Sequence, residues 1–273
     1  MRTIGRAILW LSVASLIQGS TFPVQKMVLG DVSPFAYNSL RFGVATLTSL
    51  FLFGPGKFKR GLVLGTVLGV AYVFQIWGLQ LTTASKSGFI VSSFALMVPA
   101  VAYLVEKERL VPSRFVSFTL GGLGLYLLTG GVKGVSLGDV FQMFCAVLFA
   151  FHVVLITKFS RVEKERDMMF WQFFTAAAMN ALFGAGKRWY LPKESLIVAC
   201  YTGVFATTFG IFLQTKYQKC VGNNTTALVF MVQPVFSLLL SAIVLSERMS
   251  LAQFLGGIIL LLAFLVGTFT RGR

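Results

Sequence analysis

Long apolar stretches alternate with short polar breaks along the whole chain. Each stretch approaches the roughly 20 residues that an α-helix needs to cross the hydrocarbon core of a bilayer. The breaks hold glycine, proline or charged residues, as at 54–56 and 191–193. This pattern predicts an all-α membrane protein with ten transmembrane helices, over residues 5–29, 34–53, 61–82, 87–105, 115–131, 138–157, 168–185, 195–215, 225–246 and 251–270.

Composition and charge support the same class. Hydrophobic residues make up 56% of the 273 and charged residues only 12%, about half the charged share of a soluble domain. The net charge of +15 comes from clusters between the apolar runs, which favours membrane lipids over nucleic acid as the partner. With ten spans, 16 of the 24 Lys and Arg fall on the side of both termini, so that side is predicted to be cytoplasmic. The cluster at 187–193 opposes this orientation.

The two halves of the chain resemble each other. Pro99 and Pro234 lie 135 positions apart, and so do the glycine pairs 121–122 and 256–257. We therefore predict two five-helix repeats, residues 1–133 and 134–273. Because five is odd, the second repeat enters the membrane from the opposite face. Such inverted repeats are typical of secondary transporters, whose solute site lies between the repeats near the midplane.

Several short motifs resemble one known family. Residues 18–24 (QGSTFPV) are similar to its first-span motif, with Gln18 in the place of the usual Trp. Arg41-Phe42 in the second span and Thr83 to Phe89 (TASKSGF) before the fourth are also similar. Together they resemble the drug/metabolite transporter superfamily, EamA type. The resemblance implies ten helices in inverted repeats, a location in the cytoplasmic membrane, and movement of amino acids or other small metabolites, often outward.

Polar side chains inside the predicted spans are the candidates for a solute cavity, because polar groups are costly in lipid. His152, the single histidine, faces Ser20 at the repeat offset of 132 and can titrate near neutrality. Tyr72 and Gln75 share a helix face at i, i+3. The alternative for each candidate is a hydrogen bond between helices. The full set is His152, Gln18, Ser20, Asn38, Tyr72, Gln75, Trp77, Trp171, Gln172 and Gln233.

Three further residues receive separate predictions. Arg41 either extends its side chain to the membrane interface or attracts an anionic group, such as a solute carboxylate, into the outward-facing vestibule. Pro99 and Pro234 each free a backbone carbonyl, which makes them hinge candidates or tolerated kinks.

The sequence offers little for catalysis. All nine acidic residues fall at loops or span ends, and no hydrolase, metal-ligand or phosphate-binding motif occurs. We expect no catalytic residues, no metal and no cofactor, with membrane lipids and a small-molecule substrate as partners. A lipid or lipid-linked-sugar flippase of the same fold is the main alternative, and an intramembrane enzyme is the weaker one. The sequence leaves the oligomeric state open, with a monomer among the options.

Overall fold

The computed structural model describes residues 2–30, 32–108, 112–128, 134–246 and 250–269. These residues are mostly helical, and no strand occurs among them. The helices are α1 (Arg2–Gly19), α2 (Thr21–Lys26), α3 (Pro34–Phe53), α4 (Phe58–Leu81), α5 (Ala84–Ser92), α6 (Phe94–Glu106), α7 (Pro112–Leu128), α8 (Leu137–Ser160), α9 (Glu165–Phe183), α10 (Lys193–Tyr201), the π-helical segment Thr202–Phe209, α11 (Gly210–Val221), α12 (Asn223–Phe230), α13 (Gln233–Val244) and α14 (Leu251–Phe269).

Seven helical stretches in this part of the chain are long and apolar enough to cross a membrane. They are Thr3–Lys26, Phe58–Leu81, Ala84–Glu106, Leu137–Ser160, Lys193–Val221, Asn223–Val244 and Leu251–Thr268. The expected all-α membrane protein is therefore confirmed.

The other three predicted spans coincide with α3, α7 and α9. The described part of α7 has only 17 residues. Polar side chains interrupt the apolar character of α3 and α9, as Asn38 and Arg41 do in α3. The total of ten transmembrane helices stays a prediction.

Glycine lets two of the helices approach closely. A Cβ at Gly61 would lie 2.7 Å from the Trp171 Cβ, and one at Gly65 would lie 2.5 Å from the Gln172 carbonyl oxygen. Gly69 continues the same face of α4, one turn further along. This stripe of small residues packs α4 directly on α9, as is common between helices in membranes.

One end of the helix bundle, here called the Lys57 end, joins the loops that follow α3, α6, α8 and α11. Hydrogen bonds and ion pairs connect these loops. They are Lys57 N to Asp167 O (2.6 Å), Arg161 Nη1 to Glu106 Oε1 (2.9 Å), Lys219 Nζ to Glu165 Oε2 (3.1 Å) and Asn223 Nδ2 to Glu106 Oε2 (2.7 Å).

The opposite end, here called the Lys86 end, joins the loops that follow α2, α4 and α9 with the start of α8. Its contacts are Lys26 Nζ to Leu79 O (3.0 Å), Ser33 N to Tyr190 O (3.3 Å), Thr82 Oγ1 to Asp139 Oδ1 (3.0 Å) and Lys86 Nζ to Asp139 Oδ2 (2.5 Å). Consequently α4 and α9 run from the Lys57 end to the Lys86 end, and α8 runs in the reverse direction.

Candidate functional site

Helices near the middle of the bundle are interrupted. Regular α-helical hydrogen bonding is interrupted at Ser20 between α1 and α2, at Ser93 between α5 and α6, and at residues 231–232 between α12 and α13, although the backbone keeps right-handed helical angles at each of them. Each interruption is called a break below. A proline follows each break: Pro23, Pro99 and Pro234. Proline lacks the backbone N–H of a regular helix and so leaves a carbonyl without its usual partner.

The stretch Lys193–Val221 is irregular in another way. Its middle, Thr202–Phe209, is π-helical. Single π-helical turns inside α-helices are frequent at functional sites. Thus four apolar stretches depart from regular α-helix at internal positions.

A cavity of about 50 Å³ lies between these interrupted helices and the middle of α4 and α8. Four phenylalanines line it, namely Phe22, Phe94, Phe149 and Phe230. Its main polar side chains are Gln18, Tyr72, Gln75, His152, Gln214 and Gln233. Aromatic surface combined with a few polar groups is the usual lining of a small-molecule site.

Five of the ten cavity residues predicted from sequence line this cavity: Gln18, Tyr72, Gln75, His152 and Gln233. Gln214 also lines it but was not predicted. The signal for Gln214 was present, since it is an amide inside an apolar run and matches Gln80 at the repeat offset of 134.

The cavity's amides differ in how far the protein itself satisfies them. Gln233 Nε2 donates to Gln18 Oε1 at 3.0 Å, which links α13 to α1 across the cavity. Gln214 Nε2 donates to Gln218 Oε1 at 3.0 Å. Gln75 Oε1, in contrast, is buried and has no hydrogen-bond partner in the described part of the chain.

His152 is the most distinctive group in the cavity. Only 3% of its surface is exposed, and its Nε2 finds no hydrogen-bond partner among the described residues. Buried polar atoms are almost always hydrogen-bonded in native proteins. Unpaired atoms at His152 and Gln75 are therefore positions where a polar group of a solute could bind.

The other predicted cavity residues lie elsewhere. Ser20 forms a hydrogen bond of 2.8 Å with the Tyr201 hydroxyl. Asn38 Nδ2 donates to the Tyr72 carbonyl at 2.8 Å and to Asn180 Oδ1 at 3.1 Å. Asn38 therefore joins α3 to α4 and α9. A hydrogen bond between helices was the alternative to a cavity role in the sequence analysis.

Trp77, Trp171 and Gln172 also lie outside the cavity. Trp77 packs on Phe141 near the Lys86 end, whereas Trp171 packs on Phe58 near the Lys57 end. Gln172 is buried where α9 meets the glycine face of α4. Aromatic and amide residues in a span can equally pack against neighbouring helices, and sequence alone did not separate the two roles.

Arg41 is enclosed by the helix bundle. Only 1% of its surface is exposed. The reason is that α3 packs on α9 and on the π-helical segment, so this face of α3 points inward. The guanidinium contacts Tyr72, which lines the cavity.

The hinge candidates lie close to the breaks. Pro99 lies inside α6, beyond the break at Ser93. Pro234 occupies the first turn of α13, directly after the break at 231–232. Pro234 is therefore positioned where two helical segments meet, whereas Pro99 lies within α6 itself.

The sequence model of the EamA-like transporter family matches residues 5–130 and 136–269. An uncharacterized transporter from Archaeoglobus fulgidus is 32% identical over 262 residues, covering 95% of this chain and 85% of that protein. The uncharacterized transporter YoaV from Bacillus subtilis is 21% identical over 292 residues, covering 98% of both chains.

A solved crystal structure shares the fold. It superposes with a TM-score of 0.72 at 19% identity and covers 97% of this chain and 96% of its own.

Proposed function

The chain belongs to the EamA-like transporter family, and we propose that it is a secondary transporter of small metabolites such as amino acids. The protein is a multi-pass membrane transporter. The proposal adds that a solute binds in the central cavity and that two inverted five-helix repeats expose this cavity to each side in turn. The observation that carries it is a midpoint cavity whose walls come from interrupted helices of both halves.

Helix packing supports the inverted repeat. At the repeat offset of 132–134, α4 corresponds to the stretch Lys193–Val221, α8 to the first stretch, Thr3–Lys26, and α9 to α3. As α4 packs on α8, so Lys193–Val221 packs through α11 on α1. Likewise α4 packs on α9, and Lys193–Val221 packs through its π-helical segment on α3.

Helix direction supports the inversion itself. The first apolar stretch, Thr3–Lys26, reaches the Lys86 end, where Lys26 contacts Leu79. Its repeat equivalent, α8, begins at that same end, beside Lys86. The two first helices therefore run in opposite directions. The two matched stretches of the family model, residues 5–130 and 136–269, fit repeats divided near residue 133.

The size of the cavity supports alternating access. Small-molecule sites usually enclose about 300–1,000 Å³, whereas this cavity encloses about 50 Å³. A metabolite of amino-acid size can enter only after the surrounding helices move apart. Pro99 and Pro234 are the proposed hinges for this movement, because proline lacks the backbone N–H and a helix can bend there with the loss of fewer regular hydrogen bonds.

We propose that the Lys57 end faces the cytoplasm and that the protein resides in the cytoplasmic membrane with both termini inside. Exposed basic side chains at this end include Lys57, Lys59, Arg161 and Lys164. An excess of Lys and Arg in short loops marks the cytoplasmic side. We further propose that transport is outward, as the family resemblance implies.

A lipid or lipid-linked-sugar flippase is the second candidate function. An apolar groove of about 430 Å³ lies between α5 and α8, lined by Phe89, Met143 and Phe144 among others. A groove of this kind on a membrane-spanning surface suits an acyl chain. The groove lies apart from the central polar cavity, so the solute transporter remains the better-supported function.

Flux measurements in reconstituted vesicles test the function. We expect uptake of at least one member of a panel of amino acids and nucleobases without ATP. Scrambling of fluorescent lipids without soluble-solute flux would favour the flippase. Release of a chemically new product would favour an intramembrane enzyme.

Cysteine labelling tests the inverted arrangement. Cys200 and Cys220 are exposed and Cys145 is buried, so all three are first replaced by alanine. Single cysteines are then introduced at Arg2 and at Gly134. Because five spans separate these positions, a membrane-impermeant thiol reagent should reach them from opposite sides. Labelling of both from the same side would contradict the inverted repeat.

A further inference from the structure

Arg41 is a buried cation in the middle part of the bundle. It is the largest of the side chains that are almost fully buried, with 1% of its surface exposed. An arginine guanidinium is a planar cation whose charge is delocalised over its three nitrogens. A buried charge normally has a charged partner, because desolvation is costly.

The partners of Arg41 are neutral. Its Nε donates to Thr207 Oγ1 at 2.9 Å, Nη1 donates to Gln25 Oε1 at 3.4 Å, and Nη2 donates to the Tyr72 hydroxyl at 3.2 Å. Its Cζ lies 4.6 Å from the centroid of the Tyr72 ring. Within the described part of the chain, no carboxylate lies within ion-pair distance of this guanidinium, so its charge is spread over dipoles and an aromatic ring.

The hydrogen bonds of Arg41 within the described part of the chain do not use all of its donors. A guanidinium has five N–H donors, and three of them have partners in the structure. Tyr72 accepts a hydrogen bond from Arg41 and therefore keeps its own O–H proton as a donor. Because Tyr72 also lines the cavity, this hydroxyl connects the buried charge to the solute space.

The described residues that line the cavity supply no negative charge to offset that of Arg41. Apart from His152, its lining residues in the described chain are uncharged amide, hydroxyl and apolar side chains. In a water-poor interior, the field of an uncompensated cation is screened far less than in water. The cavity beside Tyr72 is therefore electropositive, which favours an anionic group over a neutral one of the same shape.

Arg41 also spans the two halves of the protein. It projects from α3 in the first half, and its partner Thr207 belongs to the π-helical segment in the second half. The hydroxyl of Thr208, the next residue, bonds within the segment to the Gly203 carbonyl at 3.0 Å. Any movement of the halves relative to each other therefore changes the surroundings of the guanidinium.

We propose that Arg41 selects solutes that carry a carboxylate, which binds against Tyr72 and the unused guanidinium donors when the cavity opens. This inference rests on the proposed transport function and specifies its substrate class. The planar guanidinium matches a carboxylate geometrically. A carboxylate would supply the counter-charge that the closed cavity lacks.

Matched pairs of solutes test the proposal in vesicles that contain the full-length protein. The probes are L-leucine and L-phenylalanine, each compared with its own amide, which replaces the carboxylate by a neutral group of similar shape. We expect the wild-type protein to transport the acid at least about tenfold faster than the amide, as the loss of a hydrogen bond to a charged group predicts. Equal flux of acid and amide would overturn the proposal, whereas absence of flux for every panel member would instead overturn the proposed function.

Substitutions at Arg41 separate selectivity from structural support. Arg41→Gln should reduce the acid-to-amide flux ratio to about one. Arg41→Lys should retain an intermediate ratio, because lysine keeps the positive charge but lacks the planar arrangement of donors that matches a carboxylate. Arg166→Gln removes the same charge from an exposed position at the Lys57 end and should leave the ratio unchanged. If Arg41 only supported the structure, Arg41→Gln would lower the flux of the acid and the flux of the amide by the same factor. That result would overturn the proposal.

A binding measurement covers the case in which Arg41→Gln does not fold. The thermal unfolding midpoint of purified wild-type protein is measured with L-leucine, with leucinamide and with sodium chloride at equal concentration. Leucine should raise the midpoint more than leucinamide does, because a ligand of the folded state stabilises it. Equal midpoints with acid and amide would count against carboxylate selection.

Discussion

The central cavity and the α7–α14 pair are built from the same kinds of apolar sequence but have opposite local structure. The helices at the cavity are broken or π-helical and bring amides and His152 together. The described parts of α7 and α14 are uninterrupted helices that pack on each other. Of the 18 most apolar consecutive residues in α14, only 28% are buried inside the protein. The corresponding share in Asn223–Val244, which lies at the cavity, is 61%.

This difference separates two tasks. The α7–α14 contact is tight and made by backbone and aliphatic atoms, since a Cβ at Gly124 would lie 3.0 Å from the Gly256 carbonyl oxygen. The cavity, in contrast, keeps polar atoms of His152 and Gln75 that have no partner among the described residues. Substitutions in the outer pair should therefore affect stability, and substitutions in the cavity should affect transport.

The largest stability effect is expected at Gly124. In Gly124→Val the new Cβ would lie 2.9 Å from both the backbone nitrogen and the Cγ of Leu260, and a backbone neighbour cannot move away cheaply. We expect a loss of about 1–3 kcal/mol, as for other overpacked sites. Thermal unfolding in detergent measures it.

Gly122→Val is the matched control for this prediction. It makes the same substitution in the same helix, but its Cβ would meet only the Leu96 methyl groups, at 3.7 and 3.9 Å. Equal destabilisation by the two variants would show that close packing of α7 on α14 is not the cause.

An intermediate effect, on flux rather than on stability, is expected at His152. We expect His152→Ala to lower solute flux about tenfold, equivalent to one hydrogen bond to the solute. The unfolding midpoint should change less than in Gly124→Val, because His152 Nε2 has no partner to lose in the described chain. Cys200→Ala, at an exposed position, is the control, and equal flux in both variants would exclude His152 from the site.

The smallest effect is expected for the amide pair across the cavity. A double-mutant cycle of Gln18→Ala and Gln233→Ala should give a coupling of about 0.6 kcal/mol in unfolding free energy, the average for hydrogen bonds between membrane helices. Gln18→Ala combined with Gln80→Ala serves as the control. Since Gln80 contacts the α2–α3 loop at the Lys86 end, this second pair should be additive.

The amino-acid sequence by itself determined the class of the protein and the positions of its apolar helices. The physical reason is general: in lipid, backbone polar groups must be paired within the chain, and a run of about 20 apolar residues can do so only as a helix. The cost of polar groups in lipid also identified Gln18, Tyr72, Gln75, His152 and Gln233, which the structure brings to one cavity.

Tertiary structure alone decided which polar residues meet a cavity and which meet another helix. Asn38 and Gln75 look alike in sequence, yet Asn38 binds Asn180 on α9 and Gln75 lines the cavity. The sequence around Arg41 is compatible with a side chain that extends to the membrane interface. In the structure, however, α9 and the π-helical segment enclose this side chain. The period of a helix defines which residues share a face, whereas the neighbour of that face depends on packing between segments far apart in the chain.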